Sequence, residues 1–166
     1  LYSSAASDVY KRQDEKCEYC LKFGADGAFN YREVDFVDEI RQKEKNGIDV
    51  ILDMVGGDYF RKNIQLMATE GRLVQIAIQQ GYRTELDLRN LLMKRIYLTG
   101  STLRPRTVNQ KAEIALELEK KVWPLFGIGK IKPVIHSTFP LSQASDAHQL
   151  MEEGSHIGKI LLIPKT

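Results

Sequence analysis

The chain has 166 residues, 43% hydrophobic and 28% charged, with a formal net charge of +2 at pH 7. That balance is ordinary for a globular protein and too weakly basic to argue for nucleic acid or a membrane surface. No apolar run has bilayer length, no signal-peptide pattern is visible, and two cysteines (Cys17, Cys20) fit a reducing compartment, so a cytoplasmic location is expected.

The opening segment Ser3–Gln13 (SSAASDVYKRQ) looks like one reading frame of a widely used sequencing adapter. Residues 1–13 are therefore expected to be a non-native tail, with native sequence from Asp14 onward. Removing Asp8, Lys11 and Arg12 lowers the net charge from +2 to +1.

Asp14–Phe23 reads as a helix stopped by Gly24. Cys17 and Cys20 share one face of it; a lone C-x-x-C lacks the second ligand pair of a zinc site, so buried helix cysteines are expected. Ala28–Tyr31 (AFNY) reads as a short strand. Asp35 can cap a helix running to about Lys45, with Phe36, Val37 and Ile40 inward and Asn46-Gly47 ending it.

The stretch IDVILDMVGG (Ile48–Gly57) organises the rest. Its apolar run predicts a strand at Val50–Val55 covered on both faces, as in a parallel sheet. A helical pattern (Asp58–Ala68) and a second apolar run (Gly71–Ile78) complete one βαβ unit. Asp53 interrupts the first run, and a buried aspartate bonded to nearby backbone is expected there. Gly81–Thr84 reads as a loop, Leu86–Met93 as a short helix and Arg95–Thr102 as a strand.

The longest helix begins near Thr107, with Val108, Ala112, Ala115, Leu118, Val122 and Leu125 as one buried stripe. Pro124 is expected to kink its last turn. Pro133–Phe139 reads as a strand, Ser142 as the cap of a helix over Gln143–Glu152, and Gly158–Pro164 as the last strand. His136 and His148 sit at core-like spacings and are expected to be structural.

Taken together, GAD…NY (Gly24–Tyr31), D-x-V-G-G (Asp53–Gly57) and the closing FPL…A…AH…M…GKI-L (Phe139–Leu162) resemble the C-terminal half of a zinc-independent quinone oxidoreductase. These belong to the medium-chain dehydrogenase/reductase superfamily, and the likeness covers Asp14 to Lys165. The resemblance implies an α/β fold: the C-terminal part of a Rossmann parallel sheet (14–130, strands three to six) and the C-terminal return segment of a GroES-like substrate domain (131–166). It implies NADPH as hydride donor, a small-molecule quinone or related electrophilic carbonyl as acceptor, and a homodimer paired through the sixth strand, Tyr97–Ser101. Strands one and two and their phosphate-binding loop would lie upstream, so this chain alone is expected to be catalytically silent. Alternatives within the superfamily are an enoyl reductase or a zinc-free alcohol dehydrogenase. A non-catalytic NADPH-binding or crystallin-like protein is the reading from another class.

No catalytic acid, base or metal ligand is named, because hydride transfer needs only an oriented donor and acceptor in a site that excludes water. By the same resemblance Lys16 and Tyr31 approach the 2′-phosphate of NADPH, against a solvated lysine and a tyrosine beside the sheet. Ligands of open α/β sheets gather at the strands' carboxyl ends. Val55 and Gly56 are expected to line the crevice there, small enough for close approach, or simply to make the turn into the next helix. Ile76, Ala77 and Ile78 would contact the nicotinamide ribose and ring. Thr99, Gly100 and Ser101 would touch the nicotinamide side or pair across the dimer. Ile157, Gly158 and Lys159 match a closing cofactor-contact segment or a plain turn.

Overall fold

The computed structural model describes residues 13–31 and 33–164. The expected tail therefore lies, apart from Gln13, outside the described residues, as do Arg32, Lys165 and Thr166. Contacts divide the chain into two compact units, with the boundary between Thr102 and Leu103.

The first unit begins with α1 (Gln13–Lys22). Gly24 (φ +92°) ends it, donating to Leu21 O at 3.0 Å while Ala25 N donates to Cys20 O at 3.1 Å. This paired closure is the Schellman arrangement for which glycine is the usual residue. Asp35 caps α2 (Phe36–Lys43), its Oδ1 accepting from Val37 N at 3.0 Å. The helix stops two residues earlier than expected, and Gly47 turns the chain into β1 (Ile48–Asp53) at φ +86°.

Next come α3 (Asp58–Leu66), β2 (Met67–Gln75), α4 (Leu88–Lys94) and β3 (Tyr97–Gly100). The three strands form one parallel sheet in the order β1-β2-β3. Ile51, Leu73 and Leu98 stand in one row across it. That row faces the core, where Leu73 is fully buried among Phe36, Val37, Ile64, Met67 and Ile96. Burying a leucine completely stabilises a fold by about 1.5–3 kcal/mol.

The expectation of two covered faces fails. Val50 and Leu52 are more than half exposed, as is Tyr97 on the same face. Alternation along a strand sends neighbouring side chains to opposite faces, so a helical layer on one side leaves the other apolar row open.

Ala28–Tyr31 is not a strand either. Residues 28–30 have no regular structure and Tyr31 lies in a turn. A strand exists only through a hydrogen-bonded neighbour, and β1 pairs only with β2. Phe29 and Tyr31 nevertheless pack against the core as loop side chains.

The second unit holds α5 (Val108–Lys121), α6 (Trp123–Gly127), β4 (Ile135–Pro140), α7 (Ala144–Glu153) and β5 (Lys159–Ile163). Thr107 and Gln110 close a reciprocal capping box at the start of α5. Its apolar stripe is exposed, Val108 by 81%, in contrast to the buried stripe expected. Pro124 opens α6 rather than kinking α5, because proline fits the first turn of a helix, where its missing N–H is not needed. Ser142 lies in a short 3₁₀ turn (Leu141–Gln143), and α7 starts at Ala144 without a side-chain cap. β4 and β5 form a two-stranded parallel sheet joined through α7.

Candidate functional site at the carboxyl ends of the sheet

Asp53, the last residue of β1, is 4% exposed. Its Oδ1 accepts from Val55 N at 2.7 Å and Gly56 N at 3.2 Å, as expected for a buried aspartate serving the backbone. These bonds turn the chain through Gly56 (φ +71°) and Gly57 (φ +55°) into α3.

The chain leaving β2 runs alongside this turn. Ile76 N donates to Asp53 O at 2.8 Å, Gln80 N to Val55 O at 2.8 Å, and Gly57 N to Gly81 O at 3.1 Å. A Cβ on Gly56 would lie 2.8 Å from Gly81 O, and one on Gly57 would lie 2.8 Å from Gln80 O. What approaches these two glycines closely is therefore protein backbone, and their smallness is needed for that alone. The turn reading weighed for Gly56 thus has a direct structural basis, and any ligand must meet the rim formed by both segments.

Gln75, which sequence reasoning passed over, joins the parts. Its Nε2 donates to Asp53 O at 3.2 Å and to Ala77 O at 2.6 Å. Its backbone oxygen accepts from Ser101 N at 3.0 Å. It sits beside Asp53 and Gly100 in the register of the sheet. The signal was available: each apolar run ends in one polar residue, Asp53 in VILD and Gln75 in RLVQ.

The structure thus brings Val55, Gly56, Ile76, Ala77, Ile78, Thr99, Gly100 and Ser101 to the carboxyl ends of three adjacent strands. Tyr31 reaches this region through Tyr59 of α3, an edge-on ring contact at 5.5 Å. Tyr59 in turn stacks on Phe36 at 5.6 Å. Lys16 lies on α1, whose Asp14 Oδ1 accepts from Asn30 Nδ2 at 2.9 Å beside Tyr31.

Ile157, Gly158 and Lys159 belong to the second unit. Gly158 (φ +99°) packs against the backbone of Val134, and Lys159 N donates to Val134 O at 2.8 Å. His136 is exposed rather than in a core, and its Nδ1 accepts from Ile157 N at 3.4 Å. His148 is exposed as well. Neither is a core residue, because the two-stranded sheet around them buries so little.

Cys17 and Cys20 are half-buried free thiols rather than core residues, and burial pushes both up from the ordinary thiol value. Among the described residues, no group of three His, Cys, Asp or Glu side chains could hold a metal ion. No helix among them is long and apolar enough to cross a membrane.

Two buried acceptors at this rim have no hydrogen-bond partner: Asp53 Oδ2 and Gln75 Oε1. A bound group carrying O–H or N–H donors fits them. The hydroxyls and carboxamide of a nicotinamide dinucleotide are donors of this kind.

The zinc-binding dehydrogenase family matches residues 23–162. The chain belongs to that family. It is 30% identical over 152 residues to the human quinone oxidoreductase, a match covering 90% of this chain and 44% of that protein. Two solved structures share its fold. The Escherichia coli quinone oxidoreductase complexed with NADPH has a TM-score of 0.74 and 28% identity, covering 90% of this chain and 47% of that one. A mycobacterial quinone oxidoreductase has a TM-score of 0.75 and 26% identity, covering 94% of this chain and 47% of that one. The chain thus spans just under half the length of these relatives.

Proposed function

We propose that the chain is the C-terminal part of an NADPH-dependent oxidoreductase that reduces quinones or related electrophilic carbonyl compounds. In this reading residues 14–130 belong to the cofactor domain and 131–166 to the substrate domain. The observation that carries it is the rim where Asp53–Gly57, Gln75–Ile78 and Thr99–Ser101 meet at the carboxyl ends of three parallel strands. That is where open α/β sheets receive nucleotides. The likeness to quinone oxidoreductases, one complexed with NADPH, supports the choice of cofactor and acceptor.

Bound there, NADPH would supply a hydride. The chain's own residues would hold it: Val55, Gly56, Ile76, Ala77 and Ile78 by shape, and Thr99, Gly100 and Ser101 beside the nicotinamide. Lys16 and Tyr31 would face the 2′-phosphate, the ammonium by charge and the phenol by a hydrogen bond. Ile157, Gly158 and Lys159 would close the cofactor from the substrate domain. The apolar residues at the rim would exclude water, which favours transfer between oriented partners. β3 ends the sheet, and its free edge suits pairing with β3 of a second copy. The cytoplasm is the compartment this reading assigns.

The test is NADPH oxidation in a protein of the relatives' full length carrying residues 14–166. Turnover with simple 1,4-quinones is expected. Turnover only with enoyl thioesters or alcohols would favour the reductase or dehydrogenase alternatives, and NADPH binding without any turnover would favour a non-catalytic role.

A further inference from the structure

The unpartnered oxygens at the rim say more than that a donor is missing. Asp53 and Gln75 occupy paired positions on adjacent strands, β1 and β2. Both have one functional group half used: Asp53 Oδ1 holds two backbone amides, and Gln75 Nε2 holds two backbone carbonyls. The orientation of the Gln75 amide is fixed by those carbonyls, since turning it over would set oxygen against oxygen. Its Oε1 and Asp53 Oδ2 therefore remain as two buried acceptors without donors.

Buried polar atoms in folded proteins are nearly always paired. An acceptor pair cannot be satisfied by a phosphate, whose ionised oxygens are themselves acceptors. It can be satisfied by hydroxyls or by an amide nitrogen. Resting on the cofactor reading above, we propose that Asp53 and Gln75 bind the uncharged, donor-bearing nicotinamide riboside half of NADPH and exclude its phosphates from this end of the rim. Asp53 is then both a positioning and a binding residue: one oxygen shapes the Val55–Gly56 turn and the other receives the ligand. The assignment fixes the direction in which the dinucleotide lies, with the phosphates away from the junction of β1 and β2.

Calorimetric titration of the full chain, as wild type and as Asp53→Asn, separates the two halves of the ligand. Asparagine keeps an oxygen for the two backbone amides but replaces the free acceptor with a donor. NADPH affinity is expected to fall at least tenfold in Asp53→Asn, while affinity for 2′,5′-ADP, which lacks the nicotinamide riboside, changes less than twofold. An equal loss for both ligands, or no loss for NADPH, overturns the assignment while leaving the cofactor reading intact. Binding of neither ligand by wild type overturns both. The wild-type protein alone gives a second readout should the variant fail to fold. Saturating NADPH is expected to slow hydrogen exchange at the Val55 and Gly56 amides, and 2′,5′-ADP is not. The same protection by both ligands, or by neither, contradicts the proposal.

Discussion

The two units are built from the same kind of part, parallel strands joined by crossover helices, yet they bury very different amounts. Of the twelve buried apolar side chains among the described residues, only Ala147 lies in the second unit. In the first, α2 and α3 cover a three-stranded sheet whose middle strand contributes Leu73 and Met67, both almost fully buried. In the second, one helix and two strands leave Ile135, Leu161 and Ile163 exposed. A pair of strands has no middle strand, and without one there is no row flanked on both sides. The candidate site sits where burial is greatest, which is what a site that needs fixed geometry requires.

The largest effect that would sharpen this contrast is expected from Leu73→Ala. A fully buried leucine truncated to alanine loses roughly 2–5 kcal/mol. Urea unfolding followed by circular dichroism should show that loss, and a change below about 1 kcal/mol would mean the first unit has no tight core.

Gly56→Ala comes next. Its φ of +71° and the nearby Gly81 oxygen both oppose a Cβ. A left-handed backbone alone costs a side-chain-bearing residue about 1–2 kcal/mol. Faster hydrogen exchange at Gly57 and Gln80 should accompany the loss, because the loop over the turn must move. Unchanged exchange there would contradict the packing described.

Asp35→Ala tests the cap of α2 and is expected to cost about 0.5–2 kcal/mol at neutral pH. The Val37 amide, and then the Lys62 ammonium 3.2 Å away, hold the Asp35 carboxyl below the usual carboxylate range. Its folded value is thus lower than its unfolded one. The contribution is fully present above the unfolded value and fades as pH falls through the folded one. The gap between wild type and variant should therefore narrow below roughly pH 4. A gap that stays constant into acid would contradict this origin.

The smallest effect is expected in the second unit. Leu118→Ala, on the exposed stripe of α5, should change stability by no more than about 0.5 kcal/mol. A larger loss would show that the stripe is covered in solution.

Much of the local structure was legible in the residues because its causes are local. Gly24, Asp35 and Thr107 mark helix ends through bonds within a few positions, and Asp53 could be read as a backbone-bonding carboxyl from its place in an apolar run. Burial was not legible, because it depends on a layer from elsewhere. Val50, Leu52 and Val108 carry the pattern of covered residues and stand exposed. Ala28–Tyr31 has strand composition but no partner. At the site, strand ends could be predicted to converge. The role of Gln75 could not, since it depends on the register between β1 and β2.

The account's central claim is that a nicotinamide dinucleotide rests on the rim shared by β1, β2 and β3. Mapping backbone amide chemical shifts during an NADPH titration tests it most directly. The largest changes are predicted at Asp53–Gly57, Gln75–Ile78 and Gly100. Changes confined to the opposite end of the sheet, around Glu70 and Arg95, would contradict it.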